Sequence, residues 1–426
     1  MTRSAIVGRG RLLTMTGGRV SGSGLVDGPW VIIVEGGLIA EVRAGTLLPG
    51  DPDVVTDVVD SLVTPGLVDP HTHLCFAGDR ADEAAARSRG EPYTGGGILR
   101  TVRATTEAAD DELVAATRSR LESAAASGTT TIEVKSGYGL AAEQELRQLR
   151  LIGEAAAGLP LRVRRTYLGA HAIPEGSSPA DHAEAVIAAL PEVAPLADHI
   201  DVFCEPTIFD LGLARSILSA GRMNGLGIRL HADQLTRSGA TQLGIDLGAL
   251  SVDHLEQATD DDARALAGSD TVATILPGPA VMLDRGGHGR PPVRALLDAG
   301  AAVAIGSDAN AGTFGTPSMP LAIGLAVALG FGVDQALRAA TAGAARSLGL
   351  AGHIGSLVPG AAADVIAWDA DHEGAFALRV GAMAPIRRWF GGVLIESRDR
   401  ASFAPVQMPT SPATPAPAPR RGPSGR

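Results

Sequence analysis

The segment Pro65-Gly66-Leu67-Val68-Asp69-Pro70-His71-Thr72-His73 joins a short apolar run to two histidines that are two residues apart. Alternate side chains of a β-strand lie on the same face, so the imidazoles of His71 and His73 point the same way. Two convergent imidazoles at the end of a strand are half of a metal site. The flanking Pro and Gly residues mark the limits of the strand. The pair also occurs in ordinary polar loops, so the rest of the chain must decide.

The composition bounds the class of protein. The 426 residues suffice for one large domain with a smaller companion, and a hydrophobic content of 45% supports a large core. A net charge of −11 argues against nucleic acid or an anionic membrane as a partner. We find no apolar run as long as a membrane span and no signal-peptide pattern at the start. With only Cys75 and Cys204 there is no disulfide framework, so the expected location is the cytoplasm.

The two ends of the chain share a β-rich pattern. Short strand-type runs, such as residues 31–34 and 389–395, alternate with Gly-rich turns. We therefore predict one small β-sandwich domain built from residues 1–64 and 353–405. Residues 406–426 consist mainly of Pro, Ala, Thr, Ser and Arg, which cannot form a core, so we predict a disordered tail there.

Strands and helices alternate through the middle of the chain, residues 65–352. Predicted strands end at or near His71, Lys135, His171, Glu205, His231, His254, Pro277 and Asp308. Helix-type stretches cover residues 110–127, 141–157, 181–190, 212–224, 238–247, 260–267, 291–299, 321–329 and 334–348. Eight strands with intervening helices predict a (β/α)8 TIM-like barrel. The alternative is an open doubly wound sheet, which is disfavoured because no phosphate-cradling Gly loop follows a strand.

Polar side chains recur at the predicted strand ends, where the loops of a barrel converge on one mouth. Five of the ten histidines lie there, namely His71, His73, His171, His231 and His254. A single such histidine is usually structural, but five at corresponding positions favour a shared site. Three histidines and Asp308 would make a suitable ligand set for a divalent metal that lowers the pKa of water and polarises a carbonyl. Asp308 would accept the proton of that water and return it to a leaving nitrogen.

The motifs resemble those of the amidohydrolase superfamily and, within it, of the imidazolonepropionase family. Metal-dependent barrels of the superfamily carry His-x-His after strand one, His after strands five and six, and Asp after strand eight. The similarity covers nearly all of residues 1–400. The matching blocks are residues 68–73, 76–80, 133–140, 168–171, 231–234, 253–255 and 307–313.

The resemblance implies hydrolysis of the ring C–N bond of 4-imidazolone-5-propanoate to N-formimidoyl-L-glutamate in histidine degradation, by a homodimer. It implies one zinc or iron ion per subunit, held by His71, His73, His231 and Asp308. It implies catalytic roles for Asp308 and His254. It implies substrate contacts from Arg80, Tyr138, His171, Gln234, Asn310, Gly312 and Thr313.

The physical chemistry of three of these residues agrees with the resemblance. Arg80 offers a charge-assisted and bidentate grip on a propionate group. Tyr138 lies between two glycines on a loop, from which its hydroxyl can reach a substrate. Family members carry Glu or Gln at the position of Gln234, and a glutamine cannot act as a general base. The proton transfer is therefore assigned to Asp308, assisted by His254.

Lys135 is the single lysine beside 35 arginines, which suggests a position that a guanidinium does not suit. Some relatives in the superfamily use a carboxylated lysine after strand four to bridge two metals. Lys135 follows strand two, so we favour a buried ion pair with Glu133, two residues away on the same strand face. This interpretation predicts one metal per subunit.

Two other functions remain open. A related cyclic amidohydrolase or a deaminase, such as a dihydropyrimidinase-like enzyme, would use the same barrel and the same metal. A barrel that has lost catalysis would act as a binding or scaffold protein. The second alternative is disfavoured because all four candidate metal ligands are present.

Overall fold

The computed structural model describes residues 3–20, 22–91, 97–284 and 289–397. Its strands are β1 (Arg3–Gly8), β2 (Leu12–Leu13), β3 (Leu25–Val26), β4 (Trp30–Glu35), β5 (Leu38–Ala44), β6 (Val55–Asp57), β7 (Val63–Pro65), β8 (Leu67–Asp69), β9 (Thr129–Lys135), β10 (Arg162–Ala170), β11 (His199–Cys204), β12 (Gly227–Ala232), β13 (Ser251–His254), β14 (Val272–Ile275), β15 (Val303–Ile305), β16 (Val365–Trp368), β17 (Pro385–Phe390) and β18 (Val393–Ser397).

The helices surround the central strands. They are α1 (Ala81–Ser88), α2 (Ile98–Glu107), α3 (Asp110–Ala126), α4 (Ala142–Ala156), α5 (Pro179–Ala188), α6 (Leu190–Val193), α7 (Leu211–Met223), α8 (Ala240–Asp246), α9 (Asp260–Ala267), α10 (Pro277–Asp284), α11 (Val293–Ala299), α12 (Met319–Ala328), α13 (Val333–Arg338), α14 (Ala344–Ser347) and α15 (Ala375–Leu378). A π-helical turn, Ala339–Gly343, joins α13 to α14.

Strands β8 to β15 form one parallel sheet in which each strand pairs with the next along the chain. The first and last of them also meet. The amide of Asp308 donates to the carbonyl of His71 at 2.9 Å, and the amide of His73 donates to the carbonyl of Ala309 at 2.9 Å. These bonds bring the sheet close to a closed ring. The predicted (β/α)8 barrel is confirmed, and the doubly wound alternative is wrong.

Sheets from the two ends of the chain stand beside the barrel. One has the order β5-β4-β1-β6, and the other has the order β18-β17-β16-β7-β2-β3. Trp30 and Ile32 of the first sheet share a buried core with Val365 and Trp389 of the second. The β-rich pattern at both termini is therefore confirmed as a pair of packed sheets. The limits 1–64, 65–352 and 353–405 stay predictions, and the predicted tail 406–426 lies outside the described residues.

The barrel strands form because β-branched residues with burial on both faces suit a covered parallel sheet. Every residue of β9, with the sequence TTTIEVK, is buried. Some of the helices begin at capping side chains, which fix the loops that precede them. The hydroxyl of Ser178 accepts from the amide of Asp181 before α5. Thr259 and Asp262 form a reciprocal capping box at the start of α9.

The helix predictions were incomplete near the mouth of the barrel. Helices α1 and α2, in the long connection after β8, were not predicted, and α10 was not predicted either. Helix α10 begins Pro277-Gly278-Pro279, which resembles a loop, although proline is tolerated in a first helical turn. The predicted helix 334–348 is interrupted by the π-helical turn.

Two further properties concern the described part of the chain. In these ranges, each helix falls short of the length and apolar character that crossing a bilayer requires. Cys75 and Cys204 are both buried and both free.

Candidate active site

A cleft opens among the carboxyl ends of the barrel strands. Its lining is His73, Arg80, Ile98, Tyr138, His171, Phe203, His231, Gln234, His254, Asp308, Asn310 and Thr313. The predicted site residues are therefore brought to one place. Only His71 and Gly312, of those predicted, lie outside the lining itself. His71 is directly behind it, with its imidazole fully buried.

The donor atoms of three predicted ligands lie close together beneath the cleft. The Nε2 atom of His73 is 3.3 Å from Nε2 of His71 and 3.4 Å from Oδ1 of Asp308. The Nε2 atom of His71 is 3.7 Å from the same carboxylate oxygen. The ring of the fourth predicted ligand, His231, has its centroid 4.6 Å from that of His71 and 5.5 Å from that of His73.

These separations fit a single metal ion. A tetrahedral ion about 2.0–2.2 Å from each donor requires donor atoms to be roughly 3.3–3.6 Å apart. The Nδ1 atom of His71 meets Asp253 Oδ2 at 2.7 Å, and the Nδ1 atom of His231 meets Asp201 Oδ1 at 3.0 Å. Each aspartate therefore leaves the Nε2 lone pair of its histidine free for a metal. Imidazole and carboxylate donors together suit zinc or iron.

His254 lies beside these ligands. Together with His71 and His231 it forms a second possible group of metal ligands. Its ring centroid is 5.1 Å from that of His231 and 5.4 Å from that of His71. One ligand atom from each of His71, His231 and His254 falls within a 4.8 Å span. His254 is thus near enough to act on whatever is bound between the other rings.

Two of these residues have backbone conformations that are unusual for residues with a side chain. Asp308 has φ of 50° and His254 has φ of 83°, both in the left-handed region. Such a conformation costs on the order of 1–3 kcal/mol and persists only where the surroundings hold it. The bond from the Asp308 amide to the His71 carbonyl is one such restraint. The barrel therefore fixes the direction in which both side chains face the cleft.

Burial favours the neutral form of four of the five histidines. It lowers the pKa of His71 and of His73 well below the ordinary imidazole value. It also lowers the pKa of His231, and it lowers the pKa of His171 to about 3. A neutral imidazole is the form that binds a metal ion, so the protein does not have to remove protons from these rings at neutral pH.

The acid–base groups of the cleft behave differently. Burial raises the pKa of Asp308 to about 7, although His254 acts in the opposite direction. Burial alone would lower the pKa of His254, but the carboxylates of Glu256 and Asp308 outweigh it and raise that pKa. A carboxyl group with a pKa near neutrality can both accept and return a proton.

A second layer of charged residues lies behind the histidines. Lys135 Nζ is 2.7 Å from Glu133 Oε1, so the predicted ion pair is confirmed. The same Nζ is 2.8 Å from Asp201 Oδ2, a contact that was not predicted. Burial would lower the pKa of Lys135, but Asp201 and Glu133 hold it above its ordinary value. The pKa of Asp201 is in turn held well below its ordinary value by His231 and Lys135, against the effect of burial.

The sequence interpretation missed Asp201, Asp253 and Arg229, which are buried in this layer. A signal existed for each of them. Asp201 and Arg229 are charged residues inside buried, mainly apolar strands, and Asp253 directly precedes a strand-end histidine. A charged side chain in a buried strand needs a partner, so each should have suggested a network.

Arg80 approaches the cleft from the other side. Its side chain is 3% exposed, and its Nε and Nη1 atoms have no hydrogen-bond partner among the described residues. The carboxylate of Glu83 lies 3.7 Å from Nη1. A Cβ atom at Gly312 would overlap the guanidinium, so the absence of a side chain there makes room for Arg80. A buried cation with free donors is suited to an anionic ligand.

The loop after β9 carries Tyr138 and is held at several points. The Nδ1 atom of His171 lies 2.8 Å from the carbonyl of Gly137. The buried carboxylate of Glu145 accepts from the amides of Gly137, Gly139 and Leu140 at 2.8, 2.9 and 2.6 Å. The ring centroids of Tyr138 and His171 are 5.4 Å apart. Helix α4, which supplies Glu145, therefore sets the position of both rings.

The remaining predicted contacts follow β15 and β12. The side chain of Asn310 bonds within its own loop, since Oδ1 accepts from the amides of Gly312 and Thr313 at 2.8 Å each. Its Nδ2 donates to the carbonyl of Asp308 at 2.6 Å. Asn310 thus shapes the loop that faces Arg80. Gln234 lies on the turn after β12 and lines the cleft.

Comparison with known proteins places this geometry in a family. Residues 62–395 match the Amidohydrolase family. An imidazolonepropionase of Rubrobacter xylanophilus is 47% identical over 366 residues, covering 83% of this chain and 88% of the relative. An imidazolonepropionase of Nocardia farcinica is 42% identical over 404 residues, covering 92% of this chain and 99% of the relative.

Solved structures agree on the fold. A triazine hydrolase variant superimposes with a TM-score of 0.72 at 18% identity, covering 93% of this chain and 95% of that one. An adenosine deaminase from Xanthomonas campestris with bound zinc gives a TM-score of 0.68 at 18% identity, covering 94% and 95%. At this identity the likeness concerns the fold alone. The family match and the closer relatives decide the assignment: the chain belongs to the amidohydrolase family and, within it, to the imidazolonepropionases.

Proposed function

We propose that the protein hydrolyses 4-imidazolone-5-propanoate to N-formimidoyl-L-glutamate in histidine degradation. The main observation behind this proposal is that one cleft is lined by two kinds of group. The first is Arg80, a buried cation with free donors, and the second is a set of three candidate metal ligands, His73, His231 and Asp308. A substrate with a carboxylate at one end and a reactive ring carbonyl at the other matches this lining, because the carboxylate suits Arg80 and the carbonyl suits the metal ligands. The identity of 42–47% to imidazolonepropionases supports the same reaction.

The metal of this reaction is one zinc or iron ion per subunit, held by His71, His73, His231 and Asp308. When bound, such an ion lowers the pKa of water and polarises the ring carbonyl. The donor separations of 3.3, 3.4 and 3.7 Å among His71, His73 and Asp308 support three of these ligands, and the His231 ring, 4.6 Å from that of His71, supports the fourth. The three neutral imidazoles and one carboxylate admit either metal.

Asp308 moves the protons. As the oxygen of water adds to the ring carbonyl carbon, Asp308 accepts a proton from that water. The ring C–N bond then breaks, its electron pair stays on the nitrogen, and Asp308 returns a proton to that nitrogen. The former carbonyl carbon becomes the new carboxylate. A pKa of about 7, raised by burial, suits both halves of this transfer. His254, adjacent to the donor group, assists by hydrogen bonding at the carbonyl oxygen.

The other lining residues hold the substrate. Arg80 binds the propionate through charge-assisted hydrogen bonds. The Gly137 carbonyl can only accept a hydrogen bond, so Nδ1 of His171 carries the proton and Nε2 faces the cleft as an acceptor. Tyr138 and Gln234 contact the ring, and Gln234 can donate and accept but cannot act as a base. Asn310, Gly312 and Thr313 form the wall beside Arg80.

Assembly and location are also part of the proposal. The family resemblance favours a homodimer, and two buried free cysteines with no disulfide favour the reducing cytoplasm. Gel filtration with light scattering checks the first point, and a monomer at micromolar concentration would contradict it.

The experiment incubates metal-replete protein with freshly prepared 4-imidazolone-5-propanoate and follows the loss of ring absorbance, with mass spectrometry of the product. We expect N-formimidoyl-L-glutamate. Parallel reactions with a dihydropyrimidine, a triazine and adenosine test the enzymatic alternatives, and an Asp308→Asn variant is the control for contaminating activity. Turnover of one of those compounds without turnover of the imidazolone would replace the proposal, and no turnover of any substrate would favour a binding protein.

A further inference from the structure

The single lysine of the chain, Lys135, lies in a fully buried network of charged side chains behind the candidate metal ligands. Its Nζ atom contacts Glu133 Oε1 at 2.7 Å and Asp201 Oδ2 at 2.8 Å. The other oxygen of Asp201 is 3.0 Å from Nδ1 of His231. The relative exposure of the lysine and of both carboxylate side chains is 0%. Lys135 therefore reaches a candidate metal ligand through one carboxylate.

A second branch of the same network contacts another candidate ligand, His71. Nδ1 of His71 is 2.7 Å from Asp253 Oδ2, and that oxygen is 3.0 Å from Nη2 of Arg229. Arg229 Nε lies 4.0 Å from Oε1 of Glu133, the oxygen that Lys135 contacts. Glu133 thus joins the two branches at their centre.

The segment between the first two histidines is tied to the same centre. The Thr72 amide donates to Glu133 Oε2 at 3.1 Å, and the Thr72 hydroxyl donates to the Glu133 carbonyl at 2.6 Å. Three of the four candidate ligands are thereby linked to one buried network.

The charges of this network imply an added cation. Three carboxylates, those of Glu133, Asp201 and Asp253, face the two cations Lys135 and Arg229, which leaves one negative charge uncompensated. The carboxylate of Asp308 adds a second negative charge above the network. Buried charge is costly unless it is paired. A cation bound among the imidazoles would offset this negative charge.

From this geometry we infer that Lys135, as an unmodified ammonium, is a positioning residue that orients His231 through Asp201. The inference rests on the proposed metal site. A carboxylated Lys135 would place a third anion against Glu133 and Asp201, which the two short contacts oppose. A guanidinium at this position would have to enter a fully enclosed space that already holds Arg229, which explains a lysine in a chain of 35 arginines.

The single lysine allows a direct spectroscopic test on the unaltered protein. Growth with [¹³Cε,¹⁵Nζ]lysine gives one side-chain lysine signal in the intact chain. We expect an ammonium signal in the metal-free protein that moves on titration with Zn²⁺ and stops moving at one equivalent. No movement of the signal, or incorporation of ¹³C-bicarbonate at Nζ, would overturn the inference.

Variants supply the second arm of the experiment. We expect Lys135→Met to weaken Zn²⁺ binding about 10- to 100-fold in competition with a chromophoric chelator, the range for loss of a group that orients a ligand. We expect the Lys135→Arg variant to bind Zn²⁺ as weakly as Lys135→Met does. If Lys135→Met does not fold, Asp201→Asn replaces it, and we expect a similar loss of Zn²⁺ affinity. Arg150→Met, which removes an exposed positive charge, is the matched control.

These readouts do not depend on substrate turnover. A protein that binds one Zn²⁺ through this network but does not hydrolyse the imidazolone would contradict only the proposed function. An active enzyme whose folded Lys135→Met variant binds Zn²⁺ with unchanged affinity would contradict only the inference.

Discussion

The contribution of Arg80 to substrate binding can be tested by the change Arg80→Met, which removes the guanidinium and keeps a long side chain. In the structure this guanidinium is buried, and its Nε and Nη1 atoms have no hydrogen-bond partner within the described ranges. A propionate group would take up both donors. The variant would leave that carboxylate in the cleft without its counter-charge.

The expected magnitude follows from the two donors. A hydrogen bond to a charged group contributes about 1.5–3 kcal/mol, so loss of a bidentate pair amounts to roughly 3–6 kcal/mol. At about 1.4 kcal/mol per factor of ten, kcat/KM should fall on the order of 10²–10⁴-fold. Because the propionate is remote from the bond that breaks, most of the loss should be an increase in KM.

The assay is steady-state kinetics from the loss of ring absorbance, with the acid and with the neutral propionamide analogue. We expect the native protein to prefer the acid strongly and the Arg80→Met variant to lose that preference. Arg100→Met, which removes an exposed arginine paired with Asp82 at the surface, should change KM less than about twofold. Unchanged discrimination in the Arg80→Met variant would refute the role of the guanidinium.

Four further predictions concern the same cleft. Asp308→Asn should abolish turnover while Gln234→Ala only reduces it, and near-normal kcat in metal-bound Asp308→Asn would remove the proton-transfer role. Gly312→Ala should raise KM towards the value of Arg80→Met, because the new Cβ overlaps the guanidinium; an unchanged KM would show that this guanidinium is elsewhere. Glu145→Gln should lower the free energy of unfolding by about 1–3 kcal/mol, because a buried carboxylate that accepts from three amides is replaced by a group with one acceptor oxygen; denaturant unfolding measures this, and equal stability would contradict it. Chelation should abolish turnover and lower Tm, with both restored by Zn²⁺ or Fe²⁺; a chelated protein that keeps its activity would exclude a catalytic metal.

The barrel and the donor cluster were predictable because they follow from local patterns. Histidines that end apolar runs at regular intervals indicate both the strands and the edge at which their side chains meet. The stretch of sequence before each histidine was enough to predict a strand-end position for His71, His171 and His254. The ion pair of Lys135 with Glu133 was also accessible, since residues i and i+2 of one strand share a face.

The network behind the site depends on contacts that no local pattern encodes. Lys135 of β9 meets Asp201 of β11 across the intervening β10, because alternate strands contribute side chains to the same layer inside a barrel. The carboxylate that lies at the same level of the barrel as Lys135 is decided by the stagger between the strands. That stagger cannot be read from the sequence. Helix α10 was missed for a different reason, since its Pro-Gly-Pro start has low helix propensity and tertiary packing overrides it.

The central claim is that four side chains from three distant parts of the sequence, His71 and His73, His231, and Asp308, share one cation. Anomalous diffraction at the zinc and iron absorption edges, from crystals of the metal-loaded protein, locates that cation directly. We predict one peak per chain, within about 2.0–2.2 Å of His71 Nε2, His73 Nε2, a ring nitrogen of His231 and a carboxylate oxygen of Asp308. A peak elsewhere, or a second peak of equal height beside Lys135, would contradict the proposed metal site.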